Sequence, residues 1–228
     1  ISAFMNNRRP VQANWGIVES LTPKGYNYNH ASYDPQLLPS AMNYGPMDRT
    51  LNVLSFKNAQ GKSLATIFHT AIHSVAIYPS SQEISADWPG DASLKLQKIM
   101  GGEVLFLQGT AGDINPAKRG RKNVDVMASS IAAIAHKSTS FAARLQSDSI
   151  KVSRAAIGLP LDEKGQQRTG LQTIASEIQV VTLGPLAIVT LPGEPLTTLG
   201  NLIRERSPFP QTLVLGYSNG NGVHYVVT

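Results

Sequence analysis

Twice in this chain an apolar run of strand composition stops at a loop crowded with groups that bind metal or move protons. The run Leu64-Ala65-Thr66-Ile67-Phe68 leads to His69 and His73, then to Ile84-Ser85-Ala86-Asp87-Trp88-Pro89-Gly90. The run Val104-Leu105-Phe106-Leu107-Gln108-Gly109 leads to Gly112-Asp113-Ile114-Asn115-Pro116. Open α/β sheets bind ligands at the carboxyl ends of their strands. Repeating this strand-then-polar-loop arrangement predicts an α/β fold that carries an active site rather than a simple binding module.

Composition narrows the class. With 228 residues, 42% of them hydrophobic and only 15% charged, the chain has enough apolar material for a full core and too little charge for disorder. The net charge is +5, but the basic residues are scattered. Their densest group, Lys118-Arg119-Gly120-Arg121-Lys122, reads as a solvated loop between a strand and a helix, or else as an anion or membrane-surface contact. No nucleic-acid footprint is expected. The absence of cysteine excludes disulfides, thiolate metal sites and cysteine nucleophiles. No stretch reaches the roughly 20 apolar residues of a membrane span. The chain opens at Ile1 without Met, and its last residues, Val226-Val227-Thr228, read as continuing structure. The expectation is a single domain over 1–228, incomplete at both ends.

Residues 1–48 are rich in Asn, Pro, Gly and Tyr and read as a loop-rich arm. Strands are expected over 51–56 and 64–72, joined by the turn Asn58-Ala59-Gln60-Gly61-Lys62. Residues 89–100 read as a helix stopped by Gly101-Gly102, and 124–137 as a second, Ala-rich helix. The run over 103–108 is apolar on both faces and is expected as a central strand. Further strands are expected over 150–157, 177–183, 186–191 and 212–217, with a polar excursion over 164–168 and a helix over 197–205. The expected architecture is one mixed sheet flanked by helices.

Several residue types here suit metal and acid–base chemistry. On a strand, His69 and His73 would share a face but stand roughly 13 Å apart, so one metal can take only one of them. On sequence alone each reads first as a hydrogen-bonded core or surface histidine. Asp87 and Asp113 follow strand–loop transitions and read either as orienting carboxylates or as helix caps and Asx turns. Glu194, between prolines in Pro192-Gly193-Glu194-Pro195, is a rigid candidate ligand or a helix N-terminal acid. Tyr225 follows a Gly-rich loop.

Taken in order, the motifs resemble the catalytic domain of the neutral (neutral/alkaline, non-lysosomal) ceramidases. The resemblance is carried by Asn7-Arg8-Arg9, Pro46-Met47-Asp48, His73 before Ile84–Gly90, Gly109-Thr110-Ala111-Gly112-Asp113-Ile114-Asn115-Pro116, Leu191-Pro192-Gly193-Glu194-Pro195 and Gly216-Tyr217-Ser218-Asn219. It runs over essentially the whole chain. It implies a hydrolase in which one Zn2+ activates water to cleave the amide of ceramide or another N-acyl lipid. Two histidines, a glutamate and a tyrosine hold the metal in that family. Carried over, His73, Glu194 and Tyr225 are the metal ligands and Arg8 lines the substrate site. The resemblance also implies a small-molecule or lipid substrate and a secreted or periplasmic location.

Two departures matter. The family's first zinc histidine lies upstream of the part represented here. Its Gly-Asp-Val-Ser-Pro serine is replaced by Asn115, whose amide can orient a substrate or stabilise an oxyanion but cannot act as a nucleophile. Asn115, Arg8 and Asp113 are therefore the catalytic candidates. The alternatives kept open are a relative acting on another amide, ester or glycan bond, and a non-catalytic scaffold. With three ligands of four, zinc is expected to bind weakly and to bind better when the upstream segment is present.

Overall fold

The computed structural model describes residues 10–19, 25–27, 46–79, 81–147, 149–220 and 223–227. Arg8 lies outside them. Two sheets carry the site. The first contains β1 (Gln12–Glu19), β3 (Thr50–Lys57), β4 (Ser63–Thr70), β5 (Glu103–Gln108) and β7 (Ala143–Arg144), in the order β5-β4-β3-β1-β7. A two-stranded ribbon joins β2 (Gly25–Asn27) to β6 (Ile114–Pro116). The second large sheet contains β8 (Ile150–Pro160), β9 (Thr173–Leu183), β10 (Leu186–Thr190) and β12 (Gln211–Leu215), in the order β12-β10-β9-β8. A short parallel pair joins β11 (Glu194–Pro195) to β13 (Tyr225–Val226). Among the described residues the helices are α1 (Asp87–Met100), α2 (Arg121–Thr139), α3 (Glu163–Thr169) and α4 (Thr197–Arg206).

Local chemistry explains the connections. β3 and β4 form an antiparallel hairpin whose turn is closed by Asn58, its Oδ1 accepting from the N–H groups of Gln60 and Lys62. β4 and β5 are parallel, so they need a crossover, and α1 supplies it. The backbone of Gly101 then donates to the Gln97 carbonyl and stops the helix. β9 and β10 form the hairpin expected at Gly184-Pro185.

The period of two along the strands splits the core in two. Leu51, Val53 and Phe68 face α1 and α2, where they meet Trp88, Leu96, Val124 and Ile131. The alternate residues Leu54, Phe56, Ile67 and Leu107 face the second sheet, against Leu186, Leu213 and Leu215. α4 lies against β12. The result is mixed α/β, with sheets flanked by helices.

Three expectations change. The strands divide between two sheets rather than forming one, joined at a bridge between Gly109 and Leu215. β5 is an edge strand, not a central one, and Leu105 is 52% exposed. Its apolar character reports that helices cover one face and the second sheet approaches the other, not that both edges are paired. Lastly, the arm over 1–48 contributes β1, which lies between β3 and β7 inside the first sheet.

Candidate active site at the seam of two sheets

His73 follows the end of β4, where the chain leaves the sheet. Its position is fixed through its backbone. The His73 N–H donates to the Ile114 carbonyl (3.0 Å), and its carbonyl accepts from Trp88 Nε1 (3.0 Å). The loop that follows is pinned by Asp87. Oδ1 accepts from Ala76 N–H (3.1 Å) and Trp88 N–H (2.7 Å), and Oδ2 from Ile77 N–H (2.8 Å). Asp87 is thus an orienting carboxylate for the His73 loop, buried and held with φ +52°.

Glu194 comes from the other sheet, at the turn after β10. Gly193 takes φ +61°, a conformation natural to glycine, and aims the chain back toward the seam. The Glu194 N–H donates to the His224 carbonyl (2.7 Å), setting β11 beside β13 with Glu194 and Tyr225 in register. Across the seam, Gly112 N–H donates to the Pro195 carbonyl (3.0 Å). A Cβ at Gly112 would collide with the Glu194 carbonyl oxygen, so this approach needs glycine. Asp113 is buried, and its Oδ1 accepts from both the N–H (2.9 Å) and the Oγ1 (2.8 Å) of Thr197. It caps α4 and anchors the segment carrying Glu194.

These supports bring His73 Nε2 to 3.1 Å from Glu194 Oε2. The other ring nitrogen, Nδ1, lies 3.2 Å from the Tyr217 hydroxyl. His73, Glu194, Tyr217, Tyr225, Asn115 and Arg119 all line one cavity of about 600 Å³. Sequence reasoning did not single out Tyr217. Its backbone sits at φ +56°, and its N–H donates to the Gly193 carbonyl (2.7 Å), so it is tied to the Glu194 turn as well as to the His73 ring. Arg119, from the basic run, is not simply solvated. It lines this cavity and stands over the Tyr78 ring, 5.9 Å from its centroid.

Burial is the main cause that holds His73 below the usual histidine range. The Glu194 charge opposes it, Arg119 adds to the lowering, and Asp113 opposes. The 3.1 Å contact therefore has the geometry of an ion pair, but burial outweighs the attraction of Glu194. A neutral imidazole hydrogen-bonded to the carboxylate is the better description. The Tyr217 hydroxyl can accept or donate, so it suits either tautomer. His69 does different work. Its Nε2 donates to the Val214 carbonyl (3.1 Å), and its Nδ1 accepts from Asn52 Nδ2 (3.3 Å). It is a wholly buried link between the sheets, not part of the cavity.

A histidine nitrogen and a carboxylate oxygen are donor types that zinc accepts. Ligands at about 2.0–2.1 Å in a tetrahedron stand roughly 3.3 Å apart, close to the His73–Glu194 separation. Among the described residues no cluster of three His, Cys, Asp or Glu side chains stands together, and the other oxygen donors lining the cavity include the hydroxyls of Tyr217 and Tyr225.

The chain is thus a layered α/β protein with a His–Glu pair, flanked by tyrosines, at the meeting of two sheets. Its fold is that of the neutral ceramidases. A neutral ceramidase from Pseudomonas aeruginosa matches 96% of the chain with a TM-score of 0.75 at 17% identity. A ceramidase solved in complex with C2 matches all of it with a TM-score of 0.76, also at 17% identity. The chain spans about half the length of these proteins, 47% and 50%. No family model and no curated protein sequence matches it. Among the described residues no helix is long and apolar enough to cross a membrane.

Proposed function

We propose that this chain forms the catalytic core of a zinc-dependent hydrolase of the neutral ceramidase type, cleaving the amide of ceramide or another N-acyl lipid. The observation that carries the proposal is the meeting of His73, after β4 of one sheet, and Glu194, after β10 of the other, 3.1 Å apart in a cavity that Tyr225 also lines. His73 Nε2, Glu194 Oε2 and the Tyr225 hydroxyl would hold the metal. Bound zinc supplies Lewis acidity and brings the pKa of water toward neutrality.

The protein's own groups divide the remaining work. Tyr217 holds the His73 ring through Nδ1, fixing which nitrogen is presented to the cavity. Asn115 reaches the same cavity, where its amide N–H donates to a substrate carbonyl oxygen as negative charge develops there. Arg119 adds positive charge to that wall. Asn115 cannot carry a proton, and this favours a second reading within the hydrolases, in which the scissile bond belongs to another amide, an ester or a glycan.

Zinc titration followed by calorimetry tests the site. The expected result is saturable 1:1 binding that is lost in His73→Ala and Glu194→Ala. Parallel assays with fluorogenic N-acyl amides and the matching esters separate the two substrate readings. Zinc binding that stays absent when the upstream segment is included, or equal binding by the parent and both variants, would instead support a non-catalytic scaffold.

A further inference from the structure

Tyr225 has a second environment. Besides the cavity it shares with His73 and Glu194, it lines a separate trough of about 560 Å³, within the usual range for small-molecule sites. The floor of that trough is aliphatic, made by Leu159, Leu161, Ile174, Val223 and Val226. Leu159 and Ile174 lie in β8 and β9 near their connection, Leu161 just after β8, Val226 in β13 and Val223 just before it. All five are half-buried rather than sealed in the core.

One wall of the trough is basic. Lys164 and Arg168 both line it, and their spacing of four along α3 puts them on one face of that helix. Neither forms an ion pair among the described residues. The carboxylate that also lines the trough, Asp162, turns its Oδ1 to the Gly165 N–H (2.7 Å), where it caps the helix. His224 completes the lining. With two cations against the one Asp162 carboxylate, the trough carries net positive charge beside an aliphatic floor, which complements an aliphatic chain carrying an anionic group.

We propose that this trough is a binding subsite for a linear aliphatic chain carrying an anionic terminus, with Lys164 and Arg168 reading the charge. The assignment of the trough as the arm of a substrate site rests on the proposed hydrolase reading, through the shared Tyr225. Binding of the chain itself does not require zinc. A neutral lipid would leave both cations unused, so the two residues select between N-acyl compounds that end in a carboxylate, sulfate or phosphate and those that do not.

The test uses the 228-residue chain and monomeric ten-carbon probes below their micelle concentrations, followed by calorimetry. The probes are decanoate, decanol and decyltrimethylammonium. Two exposed charge contacts predict about tenfold tighter binding of decanoate than of decyltrimethylammonium, a preference that shrinks in high salt. The double variant K164Q/R168Q is expected to lose the preference for decanoate, and Ile174→Asp to weaken all three probes. Decanoate is expected to bind equally with added zinc and with excess chelator, which separates this proposal from the zinc reading. Equal affinities in the parent chain, or a preference that survives K164Q/R168Q, would overturn it. So would binding to phosphatidylglycerol vesicles with none to monomeric decanoate, which would mark a lipid-surface patch instead.

Discussion

Asp87→Ala should be among the most damaging single changes in this chain, and its cost can be built from contacts. The substitution removes an acceptor from the N–H groups of Ala76, Ile77 and Trp88. Ala76 and Trp88 are wholly buried, so water cannot replace the lost acceptor there. Each buried donor left without its acceptor costs roughly 1–3 kcal/mol, and the less enclosed Ile77 adds less, for about 3–5 kcal/mol together. Alanine must also adopt φ +52°, which adds about 1 kcal/mol. That is a large share of the roughly 5–15 kcal/mol that holds a domain folded.

Asp87→Asn separates these causes. Asparagine tolerates the same backbone, and its oxygen retains the Ala76 and Trp88 contacts. Only the Ile77 contact is opposed by an amide donor, so the expected loss is about 1–2 kcal/mol. Urea unfolding followed by circular dichroism measures both, at unchanged slope. Equal losses in the two variants would refute the reasoning, as would a cost below about 1 kcal/mol for Asp87→Ala. Because Asp87 fixes the loop after His73, the Asn variant should also bind zinc more weakly.

Tyr217→Phe removes only the hydroxyl beside His73 Nδ1, so stability should change by less than about 1 kcal/mol while zinc affinity falls roughly tenfold or more. Equal affinity would show that the His73 ring is held by other contacts. His69 gives a pH dependence. Burial, with Arg204 adding to it, holds it below its ordinary 6.5 against the opposing Asp48 charge and Val214 carbonyl. The unfolded chain therefore takes up a proton first. Stability is fully present above about pH 6.5 and declines as pH falls from there toward the lowered folded value, with His73 contributing in the same direction. His69→Gln should make that slope shallower in urea melts from pH 8 to 5, and an unchanged slope would point to other groups.

Much of this organisation was legible in local sequence. The hairpins at Asn58–Gly61 and Gly184-Pro185, the helix stopped by Gly101, and the placement of His73 and Glu194 at strand ends all follow from residue type and spacing. What escaped depends on distant partners. β1 lacks clean alternation around Trp15-Gly16, and only pairing with β3 and β7 makes it a strand. α3 has an Asp162 cap and a Gly170 stop, but with no apolar face it gave no periodic signal. Asp113 was open to catalytic, orienting and capping readings, and the segment it caps lies 84 residues further on, out of reach of local pattern. Tyr217 was passed over because its role comes from a left-handed backbone that no neighbouring residue announces.

Because His73 follows β4 of the first sheet and Glu194 follows β10 of the second, anything that binds both acts as a crosslink between layers. The protein would then melt later in proportion to how fully the seam is occupied, by about 2.7 kcal/mol at a hundredfold excess over the dissociation constant. Heat resistance becomes a gauge of ligand occupancy, and a chain whose seam is empty would be the softer one, sooner lost to proteases.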